Sequence, residues 1–151
     1  MTDKSSTIEI LARGVAISDG RVLLCRNIAK NYHYLPGGHV EFGEPAATAL
    51  QREMIEEAGL KVDVQNLLLV SEHHFIQSGT PRHELNVVFG MVFHVEHVES
   101  RESDIAFDWV DLAVVQDLDV RPLAIRAWLA SGGANESGAW LSDFGSPKVS
   151  G

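Results

Sequence analysis

The run Gly38-His39-Val40-Glu41-Phe42-Gly43-Glu44-Pro45-Ala46-Ala47-Thr48-Ala49-Leu50-Gln51-Arg52-Glu53-Met54-Ile55-Glu56-Glu57-Ala58-Gly59-Leu60 organises this chain. Its punctuation is helical. Pro45 suits the first helical turn, where a missing N–H costs nothing. Glu44 just before it complements the positive end of the helix dipole. Gly59 is a C-terminal stop. On a helical wheel Ala47, Leu50, Met54 and Ala58 form one apolar stripe, and Glu53, Glu56 and Glu57 fill an adjacent arc of about 100°. Three carboxylates at i, i+3 and i+4 repel one another. A hard divalent cation is their natural counter-charge, because Mg²⁺ takes oxygen ligands and bridges to substrate phosphates.

Outward from this helix the pattern is that of a mixed α/β domain. Ile8 to Ile17 is apolar with few breaks and reads as one strand. Ser18-Asp19-Gly20 is a turn, and Arg21 to Arg26 returns as the second arm of a hairpin. Tyr32 to Leu35 is short and extended, and Pro36-Gly37-Gly38 breaks it. A strand runs through Leu67 to Val70, Gln77 to Pro81 is a turn, and Glu84 to Val95 is a long apolar strand. Phe107 to Val110 is a short strand. Helices are expected over Leu112 to Leu118 and Arg121 to Ala130. Strands before and after a central helix, then a terminal helix, suggest a mixed sheet between helices.

Length and composition narrow the class. A chain of 151 residues suits one domain with a real core. Residues 1–6 read as a flexible N-terminus, 7–131 as the domain, and 132–151 as a Gly/Ser-rich tail whose Trp140, Leu141 and Phe144 can dock it on the domain or on another chain. A second copy of the chain is a candidate partner. No run of eighteen apolar residues predicts a membrane span. No signal peptide is visible, and the single Cys25 fits a reducing, cytoplasmic setting as a small core residue. A net charge of −9 disfavours duplex nucleic acid. It also repels free nucleotides, so a metal ion and a local basic patch must overcome that field at the site.

The quoted run resembles the Nudix box, G-x5-E-x7-R-E-U-x-E-E-x-G-U with U a bulky aliphatic residue. Gly38, Glu44, Arg52, Glu53, Met54, Glu56, Glu57, Gly59 and Leu60 occupy its fixed positions. The resemblance implies a Nudix α/β/α sandwich with a mixed central sheet. It also implies a Mg²⁺-dependent hydrolase, with Mn²⁺ as a substitute, acting on a nucleoside diphosphate linked to another moiety. Glu56 and Glu57 would be direct metal ligands, Glu53 a ligand or general base, and the Gly38 carbonyl a further ligand. Arg52 would orient a box carboxylate such as Glu44, and Gly59 would be structural. Relatives often add a loop carboxylate from outside the box. Glu102 is the first candidate for that catalytic role, with Asp104, Glu84 and Glu72 behind it.

Substrate contacts are sought among cations and rings. Arg26, Lys30 and Arg13 could form the basic patch, and an Arg can grip phosphate with two nitrogens. Tyr34 and His39, with Tyr32 and Phe75, are candidate partners for a base or phosphate. Trp109 sits on an apolar strand and reads as core. His73 and His74 are adjacent, so on a strand they face opposite sides and cannot chelate together.

Family signatures outside the box indicate the substrate. Positions 74–77 read His-Phe-Ile-Gln, without the proline that ADP-ribose hydrolases tend to carry about fifteen residues past the box (a resemblance-based expectation, not a physical rule). This favours a nucleoside triphosphate, with ADP-ribose and nucleotide sugars as alternatives. A nucleotide-sensing domain without catalysis and a cysteine-dependent isomerase of isoprenoid diphosphates are the rival classes.

Overall fold

A computed structural model describes residues 6–144. Two sheets and two helices make up the domain. The larger sheet is mixed, in the order β5 (Gly37–His39), β1 (Glu9–Val15), β7 (Thr80–Val92), β6 (Asp63–Gln77), β9 (Ala139–Ser142). The smaller joins β2 (Ile17–Ser18), β3 (Arg21–Asn27) and β4 (His33–Tyr34), with β8 (Ile105–Asp111) also paired to β3. Helix α1 (Ala46–Ala58) lies against β5, β1 and β6. Helix α2 (Leu123–Ala130) packs on the other side of the domain with a 3-10 turn at Val115–Asp117. The expected α/β/α layering is therefore present.

Each helix has its own apolar core. Val15, Leu24, Leu69 and Val88 pack with Ile125 and Leu129 of α2. Ala12, Leu23 and Met91 pack with Ala49, Leu50 and Met54 of α1. Consecutive residues Leu23 and Leu24 enter different cores, so β3 is buried on both faces. That is why it reads as an unbroken apolar run and not as an alternation.

Several expectations are adjusted by tertiary pairing. The apolar run 8–17 is two strands, because the Ala16 carbonyl accepts from Leu23 N–H and the chain crosses there into the smaller sheet. The break expected after Leu35 is present but confined to Leu35-Pro36, and it does not extend through Gly37 and Gly38. They form β5, antiparallel to β1. Gly37 has φ 131°, and a Cβ there would collide with the Ala12 carbonyl. The turn expected over 77–81 is only Ser78-Gly79, with φ 50° and 80°, the two-residue hairpin geometry that suits strand twist. Pro81 lies inside β7, paired with Ile76.

Pro45 caps α1 from an extended conformation and is not its first helical residue. Ala49, Leu50 and Met54 are fully buried, while Ala47 and Ala58 are half-buried. The helix expected over 112–118 shrinks to its single 3-10 turn. No helix among the described residues is long and apolar enough to cross a membrane. The first five residues and residues 145–151 of the tail lie outside the described residues.

Candidate active site

Helix α1 presents Glu53, Glu56 and Glu57 along one flank, facing β5. Its end is well defined. Gly59 at φ 62° donates its N–H to the Ile55 carbonyl, and Leu60 N–H reaches the Met54 carbonyl. A left-handed residue of this kind favours glycine. Arg101 then packs its guanidinium on Gly59 and donates its backbone N–H to the Glu57 carbonyl at 2.7 Å. The loop after β7 is thereby tied to the last turn of the acidic helix.

Arg52 organises the cluster. Its Nε donates to Glu44 Oε2 at 2.7 Å and its Nη2 to Glu44 Oε1 at 3.0 Å. Nη1 donates to Glu53 Oε1 at 3.0 Å and Glu56 Oε2 at 3.2 Å, and Nη2 also reaches the His39 carbonyl at 3.0 Å. The hydrogen bonds from Arg52, with one from the Glu41 backbone, hold the Glu44 carboxyl below its usual range. The reciprocal bond from Glu44 raises Arg52 further. One guanidinium thus links the loop before α1, strand β5 and two of the three helix carboxylates.

Glu53 and Glu57 face one another. Burial pushes the Glu57 carboxyl well above the ordinary carboxylate range, and its hydrogen bond to Glu53 and the Glu53 charge add to that. Arg13 acts in the opposite sense on Glu57, and Glu102 in the same sense as Glu53. Gly38 approaches Glu53 from β5, since a Cβ there would stand 2.5 Å from the Glu53 carboxyl carbon. Glycine leaves room for these oxygens and for a close backbone carbonyl. Among the described residues no three Asp, Glu, His or Cys side chains form a ready cation cage. Glu53 and Glu56 are both turned to Arg52. Half-buried carboxyls at Glu53 and Glu57, hard oxygens close to the Gly38 backbone, suit a divalent cation.

A cavity of about 580 Å³ lies against the larger sheet on the side of α2. Tyr32, Tyr34, Leu35 and Phe75 give it apolar walls, and Arg13 and Arg121 give it positive charge. Arg13 is held by Asn86 Oδ1 (3.3 Å) and the Leu35 carbonyl (3.2 Å), with its guanidinium 5.7 Å from the centre of the Tyr34 ring. Arg121 stacks at 4.1 Å over the Tyr32 ring while gripping Asp119. Arg13 lines this cavity, and its positive charge favours the ionised form of Glu57.

A family model for the NUDIX domain matches residues 9–129. The chain belongs to the NUDIX family. It is a hydrolase of the class that cleaves pyrophosphate bonds, and the family generally works with divalent cations on small nucleotide substrates. Solved NUDIX relatives share the fold. A mutator MutT protein from Bacillus halodurans superimposes with a TM-score of 0.71 at 17% identity, over 87% of this chain and 86% of that one. A MutT NUDIX hydrolase from Burkholderia pseudomallei is 27% identical, with a TM-score of 0.66, over 82% and 97%. A UDP-X diphosphatase is 21% identical, with a TM-score of 0.64, over 90% and 68%.

The other candidate residues distribute unevenly around this NUDIX site. Glu102 is exposed on the loop that Arg101 ties to α1, and its charge reaches Glu57. Its backbone is pinned by Ser100 Oγ. Tyr34 lines the cavity. Arg26 is engaged by Asp108, its Nε donating to Oδ2 at 2.7 Å, and His33 Nε2 joins the same oxygen at 3.0 Å. Neither Arg26 nor Lys30 lines the cavity; Arg13 does. His39 is exposed and paired with Glu9 at 2.8 Å. Trp109 packs beside Phe93 and donates its Nε1–H to the Glu96 carbonyl.

Cys25 is fully buried, and burial pushes its thiol far up, which leaves no thiolate nucleophile for isomerase chemistry. Asn86, Arg121 and Asp143 were not singled out by sequence. Asn86 sits in an apolar strand, and a buried carboxamide amid Val87-Val88-Phe89 is the one local signal that marks it.

Proposed function

We propose that this chain is a divalent-cation-dependent nucleoside triphosphate pyrophosphohydrolase, releasing a nucleoside monophosphate and diphosphate. The observation that carries the reading is the close approach of Gly38 to the Glu53 carboxyl on the acidic flank, in a domain whose aromatic-walled cavity is lined by Arg13. Glu53, Glu56, Glu57 and the Gly38 carbonyl would hold the cation, Mg²⁺ or Mn²⁺ by the oxygen character of the set. When bound, it neutralises phosphoryl oxygens and lowers the pKa of water.

The chain's own groups supply the rest. Arg52 holds the carboxylates in register. Arg13 meets the phosphates at the cavity mouth, where a preorganised guanidinium needs no reordering. Tyr34 and Phe75 offer faces for a base. Glu53 is engaged by Arg52, so the role of taking a proton from the attacking water is assigned to exposed Glu102, on the loop that Arg101 ties to α1.

A screen of nucleoside triphosphates, ADP-ribose, dinucleoside polyphosphates and nucleotide sugars with Mg²⁺ tests the substrate. Fastest turnover of ADP-ribose or a nucleotide sugar would replace the triphosphate reading with the second one, which the likeness to a UDP-X diphosphatase favours. The variant Glu57→Gln should lose nearly all Mg²⁺-dependent turnover and keep its fold by circular dichroism. Full activity in that variant would refute the cation role. Glu102→Gln should slow turnover at least about tenfold, and an unchanged rate would return Glu102 to the solvent-exposed surface.

A further inference from the structure

The tail beyond the matched domain contributes to the cavity. Strand β9 adds to the larger sheet as a parallel neighbour of β6, from Leu69↔Ala139 to Glu72↔Ser142. The next residue, Asp143, lines the cavity. Its position is over-determined. Asp143 N–H donates to the Glu72 carbonyl at 3.1 Å. Oδ1 accepts from His74 N–H at 2.9 Å, and Oδ2 faces His73 Nδ1 at 3.1 Å. On its other side His73 Nε2 meets Ser71 Oγ at 2.8 Å. The His73 ring thus bridges the Ser71 hydroxyl and the Asp143 carboxylate. Phe144 then stacks on His74 with ring centres 5.3 Å apart.

His73 and Ser71 are both fully buried. Apolar side chains could cover a sheet edge at lower cost than a buried polar pair. Here the pair holds one carboxylate that remains 36% exposed at the cavity wall. Glu84, register partner of His73, lines the same cavity. Both signs of charge line the cavity: Arg13 on β1 and Arg121 just before α2, Glu84 on β7 and Asp143 just after β9, with Asn86 bonded to Arg13 at 3.3 Å and to Glu84 at 3.5 Å.

Resting on the pyrophosphohydrolase reading above, we propose that the C-terminal segment 139–144 is a specificity element and Asp143 a specificity-determining residue. Its carboxylate accepts hydrogen bonds from the uncharged, donor-bearing end of a nucleotide, such as sugar hydroxyls or a base amine. It repels ligands that carry phosphate at both ends. A like charge placed against an unwanted partner is an economical means of rejection.

The test compares hydrolysis of each nucleoside 5′-triphosphate with that of its 3′-phosphorylated counterpart. The wild type should prefer the former in kcat/KM, and Asp143→Asn should shrink that preference about tenfold. An unchanged ratio would overturn the inference. A second measurement needs neither catalysis nor the variant. The four nucleoside 5′-monophosphates and their 3′,5′-bisphosphates, none of which contains a pyrophosphate bond, are titrated into the wild type in Mg²⁺-containing buffer. Bisphosphates should bind at least about tenfold more weakly; equal affinity, or no binding of either set, overturns the inference. Discrimination in binding without hydrolysis of any nucleotide would sink the enzymatic reading and leave this one standing. Hydrolysis without discrimination would do the reverse.

Discussion

Arg52 grips Glu44 with two parallel hydrogen bonds, 2.7 and 3.0 Å, from a carboxylate that precedes the helix to a guanidinium in its second turn. The same guanidinium has a nitrogen left for Glu53 and Glu56. This geometry needs a planar fork, and an ammonium cannot reproduce it. Arg52→Lys should therefore lower kcat by about tenfold or more, with little change in KM. A rise in KM alone would place Arg52 on the substrate instead.

Gly38 separates stability from activity. The group that a Cβ at 38 would meet is the far end of Glu53, a flexible side chain. Gly38→Ala should leave the melting temperature nearly unchanged while displacing the Glu53 carboxylate. The expected reading is a loss of Mg²⁺-dependent turnover and of the thermal shift that added Mg²⁺ produces. A variant with normal turnover would show that the tight approach of β5 to α1 has no part in the chemistry.

Two arginines near the site should behave differently. Arg13 lines the cavity with its guanidinium fixed by Asn86 and the Leu35 carbonyl, whereas Arg26 is engaged by Asp108. Arg13→Met should raise KM about tenfold. Arg26→Met should change KM by less than about threefold and act chiefly on stability. The reverse order would move the phosphate contact to the β3–β8 side.

Asp108 gives a pH signature. Burial works to raise its carboxyl, but the hydrogen bonds from Arg26 and His33 outweigh this and hold it below its ordinary value. A group with a depressed folded-state pKa adds stability above its unfolded pKa, near 4 for Asp. That contribution is lost as pH falls through the folded value. Asp108→Asn should thus lower the melting temperature at pH 7 and reduce the difference from wild type progressively below about pH 4. A constant difference across that range would mean that packing, and not charge, is what the residue contributes.

Much of the fold and of the acidic flank could be read along the chain because both follow short-range rules. A helical period places Glu53, Glu56 and Glu57 together wherever the helix lies, and Gly59 ends it through its own backbone. Hairpin turns at Asp19-Gly20 and Ser78-Gly79 are equally local.

Strand partners are not local. Nothing between Pro36 and His39 reveals that two glycines will lie beside Ala12 and Arg13, or that Arg26 will be claimed by an aspartate eighty-two residues away. Asp143 is reached from the cavity only because β9 adds to β6. Local propensity and periodicity settled the helix and the shared flank of its carboxylates, and the motif's resemblance pointed to the family's chemistry. Long-range pairing, where distant backbone hydrogen bonds bring unrelated segments to one face, decided which arginines and which acids line the cavity.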